Sequence, residues 1–170
     1  MKKYLLLLIF YISLISLSAQ ERGNPKYDLD IRLGYTIPSE SSLNPGFTFG
    51  LEPRYWVGSK FSLGLKADIH KFGSELADAS PNDSQSFVLM GDFYSSEEKD
   101  DRLFTGIGVG LFRDGGFSGV FGSGGSRTNE GITGRVGYLR DQVRLGFEFN
   151  VILGDDAFDY YGFYFSWSPF

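Results

Sequence analysis

The hydrophobic pattern is one of alternation. From Tyr27 to Pro38 the chain reads YDLDIRLGYTIP, with an apolar side chain at every second place and Asp, Asp, Arg, Gly and Thr between them. Period two predicts a β-strand with two chemically distinct faces. Seven further segments follow, separated by clusters of Gly, Pro, Ser, Asn and Asp. GFTFGLEPRYWVG sets Phe47, Phe49, Leu51, Tyr55 and Val57 against Thr48, Gly50, Glu52, Arg54 and Trp56, with Pro53 weakening its middle because proline donates nothing to a ladder. KFSLGLKADIH sets Phe61, Leu63, Leu65, Ala67 and Ile69 against Ser62, Gly64, Lys66, Asp68 and His70. SFVLMGDFYS alternates poorly, since Val88 and Met90 oppose Phe87, Leu89 and Phe93, and spacing alone marks it as a strand. RLFTGIGVGLFR places Leu103, Ile107, Val109 and Leu111 opposite Phe104, Gly106, Gly108, Gly110 and Phe112. ITGRVGYLR has Ile132, Val136 and Tyr138 opposite Thr133, Arg135 and Gly137. VRLGFEFNVIL alternates from Val143 to Leu153 against Arg144, Gly146, Glu148 and Asn150. YYGFYFSW ends the series, with Tyr161, Phe163, Phe165 and Trp167 opposite Tyr160, Gly162, Tyr164 and Ser166.

The connections alternate too. Short turns at GSK and RDQ, and a medium one at SSEEKDD, take turns with PSESSLNPG, FGSELADASPNDSQS, RDGGFSGVFGSGGSRTNE and GDDAFD. Short periplasmic turns and longer outer loops, with an even strand number bringing both termini to one side, describe a transmembrane β-barrel. The fold class expected is therefore all-β, an eight-stranded antiparallel up-and-down transmembrane β-barrel.

Energetics decide which face looks inward. Were the charged face to meet lipid, Arg32, Arg54, Lys66, Arg135 and Arg144 would each cost about 2–4 kcal/mol at the midplane. That sum, on the order of 10–20 kcal/mol, rivals the stability of a whole domain. In a membrane barrel they point inward, where Asp28, Asp30, Glu52, Asp68 and Glu148 are the available partners and His70 shares their face. A soluble lipocalin-like barrel would reverse the faces and wet the charges. Glycine speaks against it: Gly34, Gly50, Gly64, Gly106, Gly108, Gly110, Gly137, Gly146 and Gly162 all share the polar face. Strand glycines serve little purpose in water but relieve crowding in a lumen only just wide enough for side chains. Tyr27 and Tyr35, with Tyr55, Tyr94, Tyr138 and Trp167, are candidates for the two aromatic girdles.

The start of the chain adds a compartment. MKKYLLLLIFYISLISLSAQ has a positive beginning, an apolar run and small residues before Gln20, the form of a secretory signal peptide. Cleavage after Ala19 is expected, leaving residues 20–170 as the barrel domain. Ser13, Ser16 and Ser18 interrupt the run, which falls short of the roughly 20 apolar residues of a membrane helix. There is no cysteine, so no disulfide and no lipid-modified N-terminal cysteine. The net charge of −5 becomes more negative once Lys2 and Lys3 are removed, which argues against nucleic acid as a partner.

Over its mature length the chain resembles the small eight-stranded outer-membrane barrels of the OmpA/OmpX type. The signal peptide, the eight alternating segments, the loop rhythm and the terminal Phe170 of SWSPF carry the resemblance. It implies the outer membrane of a Gram-negative bacterium, with membrane lipids, the barrel-assembly machinery and periplasmic chaperones as partners. Phe170 would be the assembly signal, although Ser168 and Ser166 stand where apolar residues usually continue it and Pro169 intrudes. Outer loops in such proteins offer a surface to an extracellular ligand.

Chemistry is sparse. His70 is the sole histidine, on one face with Asp68 and near Ser74, so a lipid-modifying enzyme is the second hypothesis. Outer-membrane lipid A deacylases and palmitoyltransferases are similar in size and class and use a His with a Ser, but the deacylase His-x-Ser would need serine where Phe72 stands. A base also needs its nucleophile within hydrogen-bond reach. One histidine and no cysteine give transition metals little purchase. Asp155, Asp156 and Asp159 could meet calcium but read more simply as a solvated loop. GGFSGVFGSGGS lacks the lysine of a phosphate loop, and GIGVG lacks the spacing and helix of a dinucleotide site. No catalytic residue, metal site or cofactor is expected. The chain reads as non-enzymatic, with a structural or loop-mediated role and a plugged polar lumen; a narrow channel is the third hypothesis.

Overall fold

A computed structural model of the chain describes residues 27–41, 43–74, 82–97, 101–114, 127–154 and 157–169. They form β1 (Tyr27–Pro38), β2 (Leu43–Trp56), β3 (Phe61–Ser74), β4 (Asn82–Tyr94), β5 (Arg102–Asp114), β6 (Arg127–Arg140), β7 (Val143–Leu153) and β8 (Tyr160–Trp167). Each strand pairs antiparallel with its sequence neighbours, and β8 returns to β1 from Ile31↔Trp167 to Pro38↔Tyr160, closing an eight-stranded up-and-down barrel. The pairing row Arg32, Gly50, Asp68, Ser86, Phe112, Asn129 runs across six strands, and its stagger tilts them against the barrel axis.

Four strands extend further toward the loop end than alternation alone predicts. β2 takes in Leu43–Pro45, β3 reaches Ser74, β4 starts at Asn82 and β6 at Arg127. Polar residues dominate there, so the apolar period vanishes while the ladder continues. The first loop consequently shrinks to residues 39–42, as short as the turn at 57–60. A register shift between Asn44 and Phe47 lets β2 bend at Pro45–Gly46; a Cβ on Gly46 would lie 1.7 Å from the Lys71 carbonyl oxygen, so glycine alone fits. Pro53 does not break β2: Leu51↔Ala67 and Arg54↔Gly64 keep one register across it. At the opposite end, where β1 begins and β8 ends, Asp101 and Asp141 take positive φ in the turns before β5 and β7, a conformation aspartate tolerates.

The outer wall is apolar. Leu103, Ile107 and Phe163 are each more than 60% exposed, and Leu, Val and Phe side chains of all eight strands surround the barrel. Tyr27 packs on Tyr55 with ring centroids 5.0 Å apart near the terminal end, and Tyr35 on Phe47 at 5.8 Å toward the loop end. Tyr138 and Trp167 are also exposed near the terminal end, whereas Tyr94 is not a girdle residue: it is buried in the lumen.

Candidate functional site: the barrel lumen

Side chains fill the lumen because glycines give them room. Val88, Met90 and Asp92 on β4 stand directly opposite Gly110, Gly108 and Gly106 on β5. A Cβ on Gly108 would come within 2.3 Å of Met90 Sδ, and one on Gly106 within 2.1 Å of Asp92 Oδ1. Gly50 lies between Arg32 and Asp68 in the same manner, and Gly64 between Arg54 and Met90.

These gaps admit a network of buried charge. Glu52, fully buried, accepts from Arg32 Nη1 at 3.0 Å, from Arg54 Nη2 at 2.7 Å and from both terminal nitrogens of Arg135 at 2.7 Å. Arg135 also donates through Nε and Nη2 to Asp92 at 2.8 and 2.6 Å, and Arg144 Nη1 reaches the same carboxylate at 3.2 Å. Asp30 pairs with Arg54 at 2.9 Å and Arg144 at 3.2 Å. Glu148 accepts from Arg32 at 2.9 Å and from Lys66. Asp68 ion-pairs with Arg32 Nε at 3.3 Å and Lys66 Nζ at 3.7 Å, beside a cavity of about 20 Å³ between His70, Tyr160 and Tyr164. Arg32, Arg54, Lys66, Arg135 and Arg144 are thus matched by Asp30, Glu52, Asp68, Asp92 and Glu148. Such matching is what makes buried charge tolerable, since a partner removed leaves an uncompensated ion.

Less polar layers bound the network above and below. Toward the loop end Phe72, Val88, Met90, Phe112, Ile152 and Tyr160 form one buried cluster, with Ala157 and Phe158 packed on it. Toward the terminal end Tyr94, Phe104, Leu139 and Tyr164 form another, with Trp56 against it. Arg102 lies over Trp56 and Tyr94 at 4.5 and 4.2 Å from their centroids and donates to the Ser59 carbonyl at 2.9 Å. Asp28 stands apart from the main network, half-buried, accepting from the Trp56 indole.

His70 lies beneath the upper cluster, not at the rim, and is 2% exposed. Its Nδ1 is 2.7 Å from Thr48 Oγ1, which bonds in turn to Thr36, while Nε2 is 3.0 Å from the Tyr160 hydroxyl and 3.4 Å from Ser86 Oγ. Asp68 does not orient it, and both ring nitrogens are engaged with buried hydroxyls. Among the described residues no group of three His, Asp or Glu side chains could hold a metal ion. Asp159 uses Oδ1 to accept from the Ile152 backbone N–H at 2.9 Å; Asp155 and Asp156 lie outside the described residues, as do Phe170, the expected signal peptide and the segments 75–81 and 115–126.

The alternating pattern assigns Asp28, Asp30, Arg32, Glu52, Arg54, Lys66, Asp68, His70, Arg135, Arg144 and Glu148 to one face; the structure buries all of them in one lumen except Asp28, which is half-buried at its terminal end. It adds two that alternation left out, Asp92 and Arg102. Asp92 shares parity with Val88 and Met90, so reading Phe87, Leu89 and Phe93 as the lipid face would have found it, together with Tyr94's neighbouring position on the lumen side through the register with Phe104.

With this geometry the chain can be set beside solved structures. Neisserial surface protein A superposes with a TM-score of 0.59 at 13% identity, over 84% of this chain and 96% of that one. Ail, the attachment invasion locus protein of Yersinia pestis, solved in complex with the heparin analogue sucrose octasulfate, gives 0.56 at 13%, over 84% and 96%. The N-terminal β-barrel domain of Pseudomonas aeruginosa OprF gives 0.50 at 10%, over 83% and 96%. This is the fold of the small outer-membrane β-barrels. No protein-family model matches the chain, and no curated protein matches it in sequence. At such identities the likeness is one of fold, and the lumen and loops must supply the rest.

Proposed function

We propose that the protein is a non-enzymatic, non-conducting barrel of a Gram-negative outer membrane, acting through its loop end in envelope structure or contact with an extracellular ligand. The observation that carries this reading is the filled lumen. A matched ion network spans its middle, apolar clusters close it above and below, and the sole histidine is sealed among them. The domain plan in this reading is a signal peptide of residues 1–19, cleaved on export, and a barrel domain of 20–170 delivered by periplasmic chaperones to the barrel-assembly machinery, with Phe170 as its signal.

Support for loop-end contact comes from the fold likeness to an attachment protein crystallised with a polyanionic sugar analogue. Two measurements test the proposal. Planar bilayers holding the purified protein are expected to show a flat current, and stepwise conductance overturns the sealed lumen. Bacteria displaying the protein are expected to bind an immobilised matrix glycoprotein, and to lose that binding when residues 116–125, which carry Phe117, Val120 and Phe121, become a Gly-Ser linker of equal length. Equal binding by both forms refutes a role for that loop, provided that both shift on unheated gels as folded barrels do. If His70→Ala alters the acylation of lipid A in the same cells, the enzyme hypothesis replaces this one.

A further inference from the structure

Among the described residues, Ala67, Gly91 and Gly134 interrupt the large side chains of the lipid-facing wall; the rings of Phe61 and Phe149 lie against Gly91 and Gly134, whereas a groove stays open at Ala67. Ala67 on β3 lies between Leu51 on β2 and Phe87 on β4 in one pairing row, and the next row toward the loop end holds Phe49, Ile69 and Gln85. The short Ala67 side chain leaves a groove of about 270 Å³ walled by these residues. That is close to the roughly 300 Å³ at which small-molecule pockets begin. The groove opens outward from the barrel, onto the apolar belt rather than the lumen, since its walls are the exposed Phe49, Leu51, Ile69 and Phe87.

Its loop end has a different chemistry. Gln85 is half-buried on this same face, and among the described residues nothing donates to or accepts from its amide. An amide on a wall facing hydrocarbon is costly until it finds a partner. Gln85 pairs across the ladder with Arg113, and Lys71 follows Ile69 on the outer face, so the row marks where the apolar belt gives way to charge. Hydrocarbon slot and amide therefore meet at the depth where a lipid's acyl chain joins its headgroup.

We propose that this groove seats one acyl chain of a membrane lipid, with the Gln85 amide donating to the ester or amide carbonyl that links the chain to its headgroup. The proposal rests on the membrane reading of the barrel. A dialkyl ether lipid offers the same hydrocarbon without the carbonyl, and that contrast isolates the contact. The test uses Trp56→Phe/Trp167→Phe protein in vesicles of equal parts brominated diacyl phosphatidylcholine and unbrominated dialkyl phosphatidylcholine. A reporter is placed at Phe49→Trp in the groove, or at Phe163→Trp on β8, which borders none of the groove strands.

The Phe163→Trp reporter is expected to be quenched as the bulk composition dictates. Phe49→Trp is expected to report local enrichment of the diacyl lipid by at least about twofold, the effect of one modest hydrogen bond. Gln85→Leu should abolish the enrichment while leaving the groove open, and Ala67→Phe should abolish it by filling the slot. Equal quenching at both reporters overturns the proposal and leaves the membrane reading intact. Absence of quenching at both overturns the two together.

Discussion

At the scale of the residue, Glu52 is the hinge of the lumen. Three arginines donate to its two oxygens, and it has no exposure to solvent that could replace them. Glu52→Ala would leave Arg32, Arg54 and Arg135 sharing fewer anions, at a cost of about 3–5 kcal/mol. Urea unfolding in phospholipid vesicles, followed by gel migration without heating, should show a midpoint lowered accordingly. The double variant Glu52→Leu with Arg135→Met restores charge balance and should recover part of the loss, giving a coupling energy well above that of two independent sites. A simple sum of the single-variant effects would show that Glu52 and Arg135 do not act as a pair.

At the scale of the element, β4 and β5 are one packing solution. Neither strand looks ideal alone: β4 places Val88 and Met90 where charge is expected, and β5 carries three glycines on the same lumen side. Paired, the bulk of one occupies the absence of the other. Gly108→Val would force a β-branched side chain toward Met90 and the Leu89 carbonyl, 2.6 Å from where the new Cβ would sit. Overpacking of this kind costs about 1–3 kcal/mol. Heating in detergent should convert that variant to the unfolded gel form at a lower temperature, whereas Ile107→Val on the lipid face should leave the transition nearly unmoved. If both behave alike, lumen crowding is not what the glycines relieve.

The same pair of strands explains what the sequence could disclose. Strand number, fold class and the face of every buried charged residue but Asp92 and Arg102 follow from period two, because a membrane barrel enforces opposite solvents on its two walls. Asp92 is not legible that way because its strand has apolar residues on both faces, and only the partner glycines say which face is which. Tyr94 resembles a girdle tyrosine in sequence for a related reason: an aromatic near a strand end fits either wall until register is known. The strand extensions beyond His70, before Ser86 and before Ile132 are illegible because polar residues on both faces leave no period to read. The seclusion of His70 from Asp68 depends on lumen side chains from β2, β4 and β8, which no single strand encodes.

At the scale of the whole molecule, the location of charge predicts its response to salt. Lys60–Glu97 and Arg140–Asp101 are exposed pairs at 3.6 and 3.5 Å in the turns, and ions reach them freely. Such pairs contribute at most about 1 kcal/mol each, and raising salt from about 0.01 M to 1 M shrinks the screening length from about 30 Å to 3 Å. The lumen pairs sit between two clusters of buried side chains; in a sealed lumen, as proposed, mobile ions stay out and screening should not touch those pairs. Unfolding free energies in zwitterionic vesicles should therefore move by less than about 2 kcal/mol over that range, despite a stability that depends on many ion pairs. A water-filled lumen behaves otherwise: counterions would enter, the arginine–carboxylate contacts would weaken, and the midpoint would fall steadily with salt. A salt-sensitive midpoint would thus argue for an open pore in a way that agrees with measurable conductance, while an insensitive one ties the charged lumen to stability and leaves the loop end as the working surface.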